Sequence, residues 1–331
     1  MSAKRIGKAK ALVLFSGGLD SILTIKLLQN AGVKVEAINF ATPFSAGQSY
    51  VDKIAKKFRV KVHKVDVDSA YFSMIRKPRH GYGANMNPCL DCKIYMFRRA
   101  ASFAKKRGFD FLATGEVLGE RPFSQIRPLM FLIEKEAGLD GKIVRPLSGK
   151  LLPETAAEKN GLIKRESLLA ISGRNRTPQL TLARKFGIKD FPSPGGGCLL
   201  TDPAFAAKLR DFLEYSSTLS WEDVSLLRLG RHFRLGKEKM IVGRRHEENL
   251  SLKRFAVRQR LPWMEVKGFM GPVTIAQGKS DKLMRKAADL TFRYSDAPRD
   301  RPASVVLHAG KTRKVLEAGL ISEQETEKLR V

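Results

Sequence analysis

The chain has 331 residues, enough for two domains, and its 61 lysine and arginine residues against 33 aspartate and glutamate residues give a net charge of +28. Residues 1–200 hold 35 basic and 16 acidic residues and residues 201–331 hold 26 and 17, so a basic tail does not explain the excess. A pI near 10.2 favours a polyanionic partner, nucleic acid before membrane, over a generically basic surface. No apolar run approaches the roughly 20 residues of a membrane span, and the run after the basic start is too short for a signal peptide. We therefore expect a cytoplasmic protein without a membrane partner, and three cysteines argue against a disulfide framework.

The first predicted strand and helix flank a glycine turn. An apolar run at 11–15 leads into the hexapeptide Ser16–Ser21, and residues 22–30 have helical spacing. A glycine pair between a buried strand and a helix N-terminus can hold an anion, most often a phosphate, on backbone N–H groups. The turn lacks the Gly-Lys-Ser/Thr of a Walker loop and the Gly-x-Gly-x-x-Gly of a dinucleotide-binding loop. The strand and helix favour a phosphate site over an ordinary turn.

Further strands alternate with helices along the first 115 residues. Strands are predicted at 34–40, 60–65 and 109–114, and helices at 48–58 and 100–107. This alternation predicts an α/β fold with a parallel, doubly wound sheet. Because ligands of such sheets bind at the carboxyl ends of the strands, the glycine turn, the segment after Phe40 and the pair Thr114-Gly115 are expected on one edge.

Two less regular stretches interrupt the pattern. Residues 68–91 are predicted as a long irregular loop that covers the site, and the glycine- and proline-rich run 192–197 closes the α/β part. A helix at 206–215 then leads into short alternating segments such as 231–243 and 263–271, which predict a smaller α+β domain. The expected domains are accordingly residues 1–203 and residues 204–331.

The three cysteines all fall in loop or helix-start contexts. Asn87 is predicted as an N-cap and Pro88 as the first helical residue, so Cys89 and Cys92 lie on one face at the positive end of a helix. That setting lowers a thiol pKa and favours thiolate chemistry or metal ligation. Cys198 follows the glycine-rich run. Three interpretations stay open: an iron–sulfur cluster with one open iron, a persulfide relay without a cluster, and zinc or inert thiols.

The motifs together resemble a known family. The hexapeptide Ser16–Ser21 is similar to the Ser-Gly-Gly-x-Asp-Ser signature of the PP-loop ATP pyrophosphatases, which adenylate a substrate and release pyrophosphate. With Asn-Pro-Cys-x-x-Cys at 87–92, Thr-Gly-Glu-Val-Leu-Gly at 114–119 followed by Ser-Gln, and Gly-Gly-Cys at 196–198, residues 9–203 resemble the tRNA uridine thiolases. The Thr-Gly-Glu-Val-Leu-Gly run with its Ser-Gln is most similar to the 4-thiouridine synthases (ThiI type), and the Asn-Pro-Cys segment also resembles the 2-thiouridylases (MnmA type).

One position departs from the ThiI-type pattern, and a second module shows a weaker resemblance. The Gly-Gln usual in the ThiI run is Gly119-Glu120 in this chain. The run Arg-Tyr-Ser-Asp-Ala at 293–297 resembles the RNA-binding module of the NFACT proteins. The C-terminal domain is therefore expected to contact RNA.

The resemblance implies an ATP-dependent tRNA sulfurtransferase that adenylates a uridine carbonyl oxygen, with 4-thiouridine favoured over 2-thiouridine as the product. It implies ATP, Mg²⁺ and a 4Fe-4S cluster as cofactors, and as partners tRNA and a sulfur donor, either inorganic sulfide or the persulfide of a cysteine desulfurase. The implied catalytic residues are Asp20, Cys89, Cys92 and Cys198, and the same three cysteines would hold the cluster. The implied ATP-binding residues are Ser16, Gly17, Gly18, Leu19, Asp20, Ser21, Phe40, Thr114, Gly115, Ser124 and Gln125.

Three basic residues, Lys93, Arg127 and Arg145, are candidate contacts for phosphate or RNA, although a solvated surface charge is the favoured interpretation of each. Two other functions remain open. A small-molecule ligase or nitrile synthase shares this type of loop but leaves the basic charge unexplained. A non-catalytic RNA-binding protein with a relict nucleotide fold would not need an intact Asp20 and three cysteines.

Overall fold

In the computed structural model, the described residues are 8–45, 48–191 and 198–331, and the chain divides into two compact units, residues 1–202 and 203–331. The glycine-rich run predicted at 192–197 lies outside the described residues. Among the described residues, no helix combines the length and the apolar character needed to cross a membrane.

The described part of the first unit is built on a five-stranded parallel sheet in the order β3-β2-β1-β4-β5. Its strands are β1 (Lys10–Leu14), β2 (Lys34–Ala41), β3 (Val62–Asp66), β4 (Phe111–Thr114) and β5 (Ile143–Val144). Strand order reverses between β1 and β4, so the carboxyl ends of these two central strands form the switch point at which such sheets bind ligands. The predicted α/β class and parallel sheet are confirmed.

Helices cover both faces of this sheet. They are α1 (Leu19–Asn30), α2 (Gln48–Lys57), α3 (Ser69–Arg76), α4 (Cys89–Arg107), α5 (Arg127–Ala137), α6 (Ala156–Lys159) and α7 (Thr177–Lys185), with 3₁₀ turns at Gly149–Leu151, Arg165–Ser167 and Leu199–Thr201. Along β1, Ala11 and Val13 pack in a core with α1, α2 and α7, whereas Leu12 packs in a second core with α4 and α5. Because successive strand residues face opposite sides, a short all-apolar strand serves both cores.

The segment 68–91 is more ordered than its sequence predicts. Helix α3 begins after Asp68, whose carboxylate accepts a hydrogen bond of 3.1 Å from the Ala70 amide, and it buries Tyr71, Phe72 and Ile75. The prediction of a wholly irregular loop was therefore wrong.

The start of the next helix differs by one residue. Pro88, not Asn87, is the N-cap of α4, and Cys89 is its first helical residue. The helix predicted at 100–107 is the second half of this 19-residue helix, which ends at Gly108 with a φ of 67°.

The second unit, which is described throughout, is an α+β fold with a six-stranded antiparallel sheet in the order β11-β10-β8-β9-β7-β6. Its strands are β6 (Arg231–Leu235), β7 (Glu238–Val242), β8 (Trp263–Val266), β9 (Thr274–Gln277), β10 (Ala303–Ala309) and β11 (Thr312–Ala318). Its helices are α8 (Pro203–Tyr215), α9 (Trp221–Leu227), α10 (His246–Gln259), α11 (Asp281–Arg293) and α12 (Glu323–Leu329). Helix α11 packs on one face of the sheet, and α9 and α10 pack on the other. This architecture agrees with the predicted α+β module.

A buried histidine makes the stability of the second unit sensitive to acid. His232 is 1% exposed, its Nε2 lies 2.9 Å from the Leu229 carbonyl oxygen, and its Nδ1 has no hydrogen-bond partner. Burial, together with the charges of Lys239 and Lys208, lowers the pKa of His232 well below its ordinary 6.5. The unfolded chain therefore takes up the proton first as the pH falls below about 6.5, which favours unfolding.

As the pH falls from 7.5 to 5.5, we expect the free energy of unfolding of this unit to fall by about 1 kcal/mol more in the wild type than in a His232→Gln variant. Urea unfolding followed by tryptophan fluorescence measures this unit selectively, because both tryptophans, Trp221 and Trp263, lie in it. The exposed His246→Gln control should keep the wild-type pH dependence. Equal pH dependence in wild type and His232→Gln would contradict the assignment.

Candidate functional site

The turn between β1 and α1 has the geometry of an anion cradle. Gly17 has a φ of 82°, a conformation that favours glycine, and Gly18 is the N-cap of α1. The Ser16 Oγ accepts a hydrogen bond of 3.3 Å from the Gly18 amide, and the Ser21 Oγ donates one of 2.8 Å to the Gly18 carbonyl oxygen. Since the N-cap has no side chain, the first amides of α1 remain accessible to an anion.

The carboxyl end of β4 lies directly against this turn. A Cβ at Gly115 would lie 2.6 Å from the Asp20 carbonyl carbon and 2.6 Å from the Ser21 amide nitrogen, so only glycine allows the two backbones to approach this closely. The Thr24 hydroxyl donates a hydrogen bond of 3.4 Å to the Thr114 carbonyl oxygen at the same contact. The predicted meeting of the turn with Thr114-Gly115 at one sheet edge therefore matches the structure.

Replacing Gly115 with alanine is expected to lower the free energy of unfolding by about 1–3 kcal/mol, because backbone atoms cannot yield as a flexible side chain would. It should also weaken the binding of an anion at the turn by displacing the start of α1. Urea unfolding followed by circular dichroism and a titration with inorganic pyrophosphate would measure the two effects. Gly319→Ala is the matched control, since nothing lies within 4 Å of its added Cβ; similar losses in both variants would contradict the packing argument.

The carboxylate of Asp20 lies in a buried polar cluster contributed by the start of α7. Arg176 donates from Nη2 to the Asp20 Oδ2 at 3.2 Å, and its Nε lies 4.0 Å from the Glu120 Oε1. Gln179 is fully buried beside Asp20. Several atoms of this cluster are buried without a hydrogen-bond partner: the Asp20 Oδ1, the Arg176 Nε and both amide atoms of Gln179. Buried polar atoms in folded proteins are seldom left unpaired, so the cluster is suited to a polar ligand.

Both carboxyl groups of this cluster are harder to ionise than usual. Burial raises the pKa of Asp20, although the charges of Arg176 and Arg121 lower it. Burial and then the Asp20 charge raise the pKa of Glu120, against the opposing charge of Arg176. A further positive charge at this point would stabilise both carboxylates.

A second charged cluster corrects one predicted role. Arg145 is 3% exposed and pairs with Glu116 at 2.9 Å and with Glu134, so it supports the core and is not a surface contact for phosphate or RNA. Lys93 pairs with the other Glu116 oxygen at 2.5 Å, and the charges of Lys93 and Arg145 lower the pKa of Glu116 to about 2 in spite of burial. Arg127 is exposed and donates a hydrogen bond of 2.7 Å to the Leu151 carbonyl oxygen.

The buried members of the predicted ATP-binding set are Gly17, Leu19, Ser21, Phe40, Thr114, Ser124 and Gln125. Leu19 and Phe40 are 2% and 8% exposed and pack in the two cores, so their side chains serve the fold. Ser124 and Gln125 are 0% and 6% exposed, and the Ser124 Oγ and the Gln125 Oε1 have no hydrogen-bond partner. The loop that carries them is closed by a hydrogen bond of 2.7 Å from the Gly119 amide to the Gln125 carbonyl oxygen.

Backbone hydrogen bonds hold the third cysteine near the helix that carries the other two. The Leu199 amide donates to the Phe44 carbonyl oxygen at 2.9 Å, and the Met86 amide donates to the Leu200 carbonyl oxygen at 3.1 Å. Phe44 follows β2, and Met86 precedes α4. The turn after Cys198 is therefore anchored both at the sheet edge and at the start of α4.

The thiols of Cys89, Cys92 and Cys198 are free and interact electrostatically. The Cys92 Sγ lies 3.8 Å from the Tyr71 hydroxyl, and burial raises the pKa of Cys92 to about 12. Burial also raises the pKa of Cys198, whereas the charge of Arg121 lowers it. Within residues 8–45, 48–191 and 198–331, no group of three or more histidine, cysteine, aspartate or glutamate side chains is arranged to hold a metal ion.

Sequence reasoning missed Arg176, Gln179 and Tyr71. The only local signal for the first two is a helix start: the Asn175 side chain accepts a hydrogen bond of 2.9 Å from the Thr177 amide, and a proline follows. Tyr71 lies in the segment that was predicted to be irregular. Nothing in these short patterns indicates a partner as distant in sequence as Asp20.

Two family models match the chain. Residues 7–152 match the thiamine biosynthesis protein (ThiI) family, and residues 230–330 match the NFACT protein RNA binding domain. Among curated relatives, "tRNA-specific 2-thiouridylase MnmA 1" of Aliarcobacter butzleri is 29% identical over 33% of this chain and 35% of its own length. "Probable tRNA sulfurtransferase" of Mycoplasma genitalium is 31% identical over 42% of this chain and 36% of its own length. The chain thus spans about a third of the length of these relatives.

Solved structures give more distant similarities. A 4-thiouridine synthetase in complex with RNA and with bound ATP has a TM-score of 0.38 and 20% identity, over 66% of this chain and 52% of its own. The C-terminal part of the fibronectin/fibrinogen-binding protein of Streptococcus suis has a TM-score of 0.29 and 14% identity, over 46% of this chain and 77% of its own. Residues 7–152 are thus similar to the ThiI family, and residues 230–330 are similar to the NFACT protein RNA binding domain.

Proposed function

We propose that this protein uses ATP to thiolate a uridine of tRNA, with 4-thiouridine as the product. The observation that carries the proposal is the combination, in one unit, of the glycine turn with its incompletely hydrogen-bonded polar cluster and of three free, interacting cysteines. Arg121 links the two groups, because its charge lowers the pKa of both Asp20 and Cys198. The match to the ThiI family supports the 4-thiouridine product over 2-thiouridine.

The glycine turn would activate the uridine. The phosphates of ATP bind the amides of Gly17 and Gly18 and the hydroxyls of Ser16 and Ser21. A uridine carbonyl oxygen attacks the α-phosphorus, the bond to the bridging oxygen breaks, and pyrophosphate leaves. The Arg176 guanidinium, which pairs with Asp20 at the turn, would stabilise the negative charge of the departing pyrophosphate. Fixed amides and a guanidinium stabilise that charge without reorganising, which is the main contribution of a protein to phosphoryl chemistry.

The cysteines would deliver sulfur to the activated carbon. A sulfur nucleophile forms the carbon–sulfur bond, the carbon–oxygen bond breaks, and AMP leaves with the oxygen. Cys89, Cys92 and Cys198 are the three thiols that would hold a 4Fe-4S cluster, and their charges act on one another, although the described side chains are not arranged as a metal site. A bound cluster would supply an iron for sulfide. Without a cluster, the outer sulfur of a cysteine persulfide forms the carbon–sulfur bond, a second cysteine then breaks the S–S bond by forming a protein disulfide, and an external thiol reductant reopens that disulfide. Because Cys92 is a neutral thiol at pH 7, either route requires its proton to be removed.

The second unit would contact the tRNA. Residues 230–330 match an RNA-binding domain, and residues 201–331 hold 26 basic against 17 acidic residues, an excess of positive charge that attracts the phosphate backbone. Binding of this kind weakens steeply as the salt concentration rises, because counterions are released from the RNA. Structured RNA is recognised largely by its shape, so this unit would orient the molecule while the first unit performs the chemistry.

Nucleoside mass spectrometry of tRNA, with and without the gene, tests the proposal. The strain without the gene should lose 4-thiouridine, and the gene should restore it. Loss of 2-thiouridine would reassign the ring position, and unchanged thionucleosides would overturn the proposal. Anaerobic purification with iron and sulfide assays decides between the two sulfur routes, since an active protein without iron would exclude the cluster.

A further inference from the structure

Glu120 faces the same guanidinium as Asp20. The Arg176 Nη2 lies 3.2 Å from the Asp20 Oδ2, and the Arg176 Nε lies 4.0 Å from the Glu120 Oε1. The two carboxylates repel each other, and Asp20 contributes to the raised pKa of Glu120. Arg176 pairs with both acidic groups beside the glycine turn, and the charge of Arg121 also acts on both of them.

The hydrogen bonding among these buried polar groups is incomplete. The Asp20 Oδ1 and the Arg176 Nε are buried and have no hydrogen-bond partner. Gln179 is 0% exposed and lies close enough to Asp20 to lower the pKa of that carboxyl, yet neither amide atom of Gln179 makes a hydrogen bond of good geometry. Unpaired polar atoms of this kind, buried together at a sheet-edge turn, point to a missing polar ligand.

We propose that Asp20 and Glu120 together bind the divalent cation that accompanies ATP, so that Glu120 is a second metal ligand at the glycine turn. Mg²⁺ typically binds one or two carboxylates together with substrate phosphates and waters. Two carboxylates without a third protein ligand match that pattern. The inference rests on the proposed function, because ATP brings the phosphates.

The cation would replace the charge that Arg176 now supplies. With a cation on the two carboxylates, the Arg176 guanidinium is released from Asp20 and becomes available to the phosphates. The ThiI-type run has glutamine at position 120, which can offer only a neutral amide oxygen. Glutamate in this chain adds a negative charge, which strengthens binding of a hard cation.

A simpler role for Glu120 is to hold α7 against the turn through Arg176. Its separation of 4.0 Å from the Arg176 Nε is at the limit of an ion pair and too long for a hydrogen bond. A contact of this length contributes little to stability. The two roles therefore differ in what Glu120→Gln should change, cation affinity in one case and stability in the other.

The test measures the binding of Mn²⁺ to the full-length protein in the presence of α,β-methylene-ATP, with free Mn²⁺ followed by electron paramagnetic resonance. The mixture contains no tRNA and no sulfur donor. Glu120→Gln keeps the size of the side chain and should raise the Kd for Mn²⁺ at least about ten-fold, with an unchanged urea unfolding midpoint. Glu154→Gln, on the exposed surface, should bind as wild type does. Equal affinity in wild type and Glu120→Gln, or no Mn²⁺ binding by the wild type, would overturn the inference.

This result is separable from the proposed function. Mn²⁺ binding that depends on Glu120, in a protein that produces no thionucleoside, would leave the metal site standing and remove the thiolation. If the wild type thiolates tRNA but its Mn²⁺ affinity does not depend on Glu120, the proposed thiolation stands and the metal site is removed.

Discussion

Replacing Asp20 with asparagine should lower the rate of pyrophosphate release from ATP by about 10²–10³-fold without destabilising the protein. The carboxylate lies at the start of α1, beside the amides that would hold the phosphates. Asparagine has nearly the same shape but carries no charge for a cation or for Arg176. The measurement is tRNA-dependent release of pyrophosphate.

The effect on stability follows from the sign of the pKa shift. Burial raises the pKa of Asp20 above its ordinary 3.8, so the ionised form is less favourable in the folded than in the unfolded chain. That cost is present at neutral pH and is relieved as the pH falls through the raised pKa. A neutral asparagine avoids it, so the free energy of unfolding should be unchanged or higher, as is common where a protein retains a strained group for activity.

Urea unfolding followed by circular dichroism provides the stability readout, and Asp140→Asn is the matched control. Asp140 is exposed, so its variant should retain both activity and stability. A loss of pyrophosphate release that is accompanied by a lower unfolding midpoint would indicate that Asp20 supports the fold instead of the reaction.

The parts of the fold that could be predicted are those encoded by short patterns. The apolar run of β1, the glycine pair and the following helix are contiguous, so their order alone indicates the turn and the sheet edge. Helix α3 was missed because the prolines and glycines that follow it dominate the pattern, while its own evidence is a cap at Asp68 and three buried residues. Local signals of that length are easily outweighed.

The site was predictable only where its residues lie in the motifs. Arg145 was predicted to be a solvated surface charge or a contact for phosphate or RNA, because its buried partners, Glu116 and Glu134, could not be identified without the fold. Arg176 was missed for the same reason, since 156 residues separate it from Asp20. Residue type predicts a charge, and only packing determines which charge it meets.

Replacing Cys198 with serine should reduce thionucleoside formation by at least about 10²-fold while pyrophosphate release stays within a few-fold of wild type. Sulfur is far more nucleophilic than a serine hydroxyl, and serine is a poor ligand for a soft metal, so both sulfur routes fail. The turn after Cys198 is fixed by backbone bonds to Phe44 and Met86, which a serine preserves. Activation of the uridine depends on the glycine turn and should therefore continue.

Asp20→Asn is the comparison variant. It should lose both pyrophosphate release and thionucleoside formation, whereas Cys198→Ser should lose only thionucleoside formation. Mass spectrometry of the tRNA and a pyrophosphate assay on the same reaction separate the two variants. If Cys198→Ser lost pyrophosphate release as completely as Asp20→Asn does, Cys198 would be needed to activate the uridine. The assignment of activation to the glycine turn and of sulfur delivery to the cysteines would then be wrong. The Arg121 charge, which lowers the pKa of both Asp20 and Cys198, makes a moderate effect on activation physically reasonable. A few-fold fall in the rate of pyrophosphate release by Cys198→Ser therefore agrees with separate sites for activation and sulfur delivery, whereas a 10²-fold fall does not.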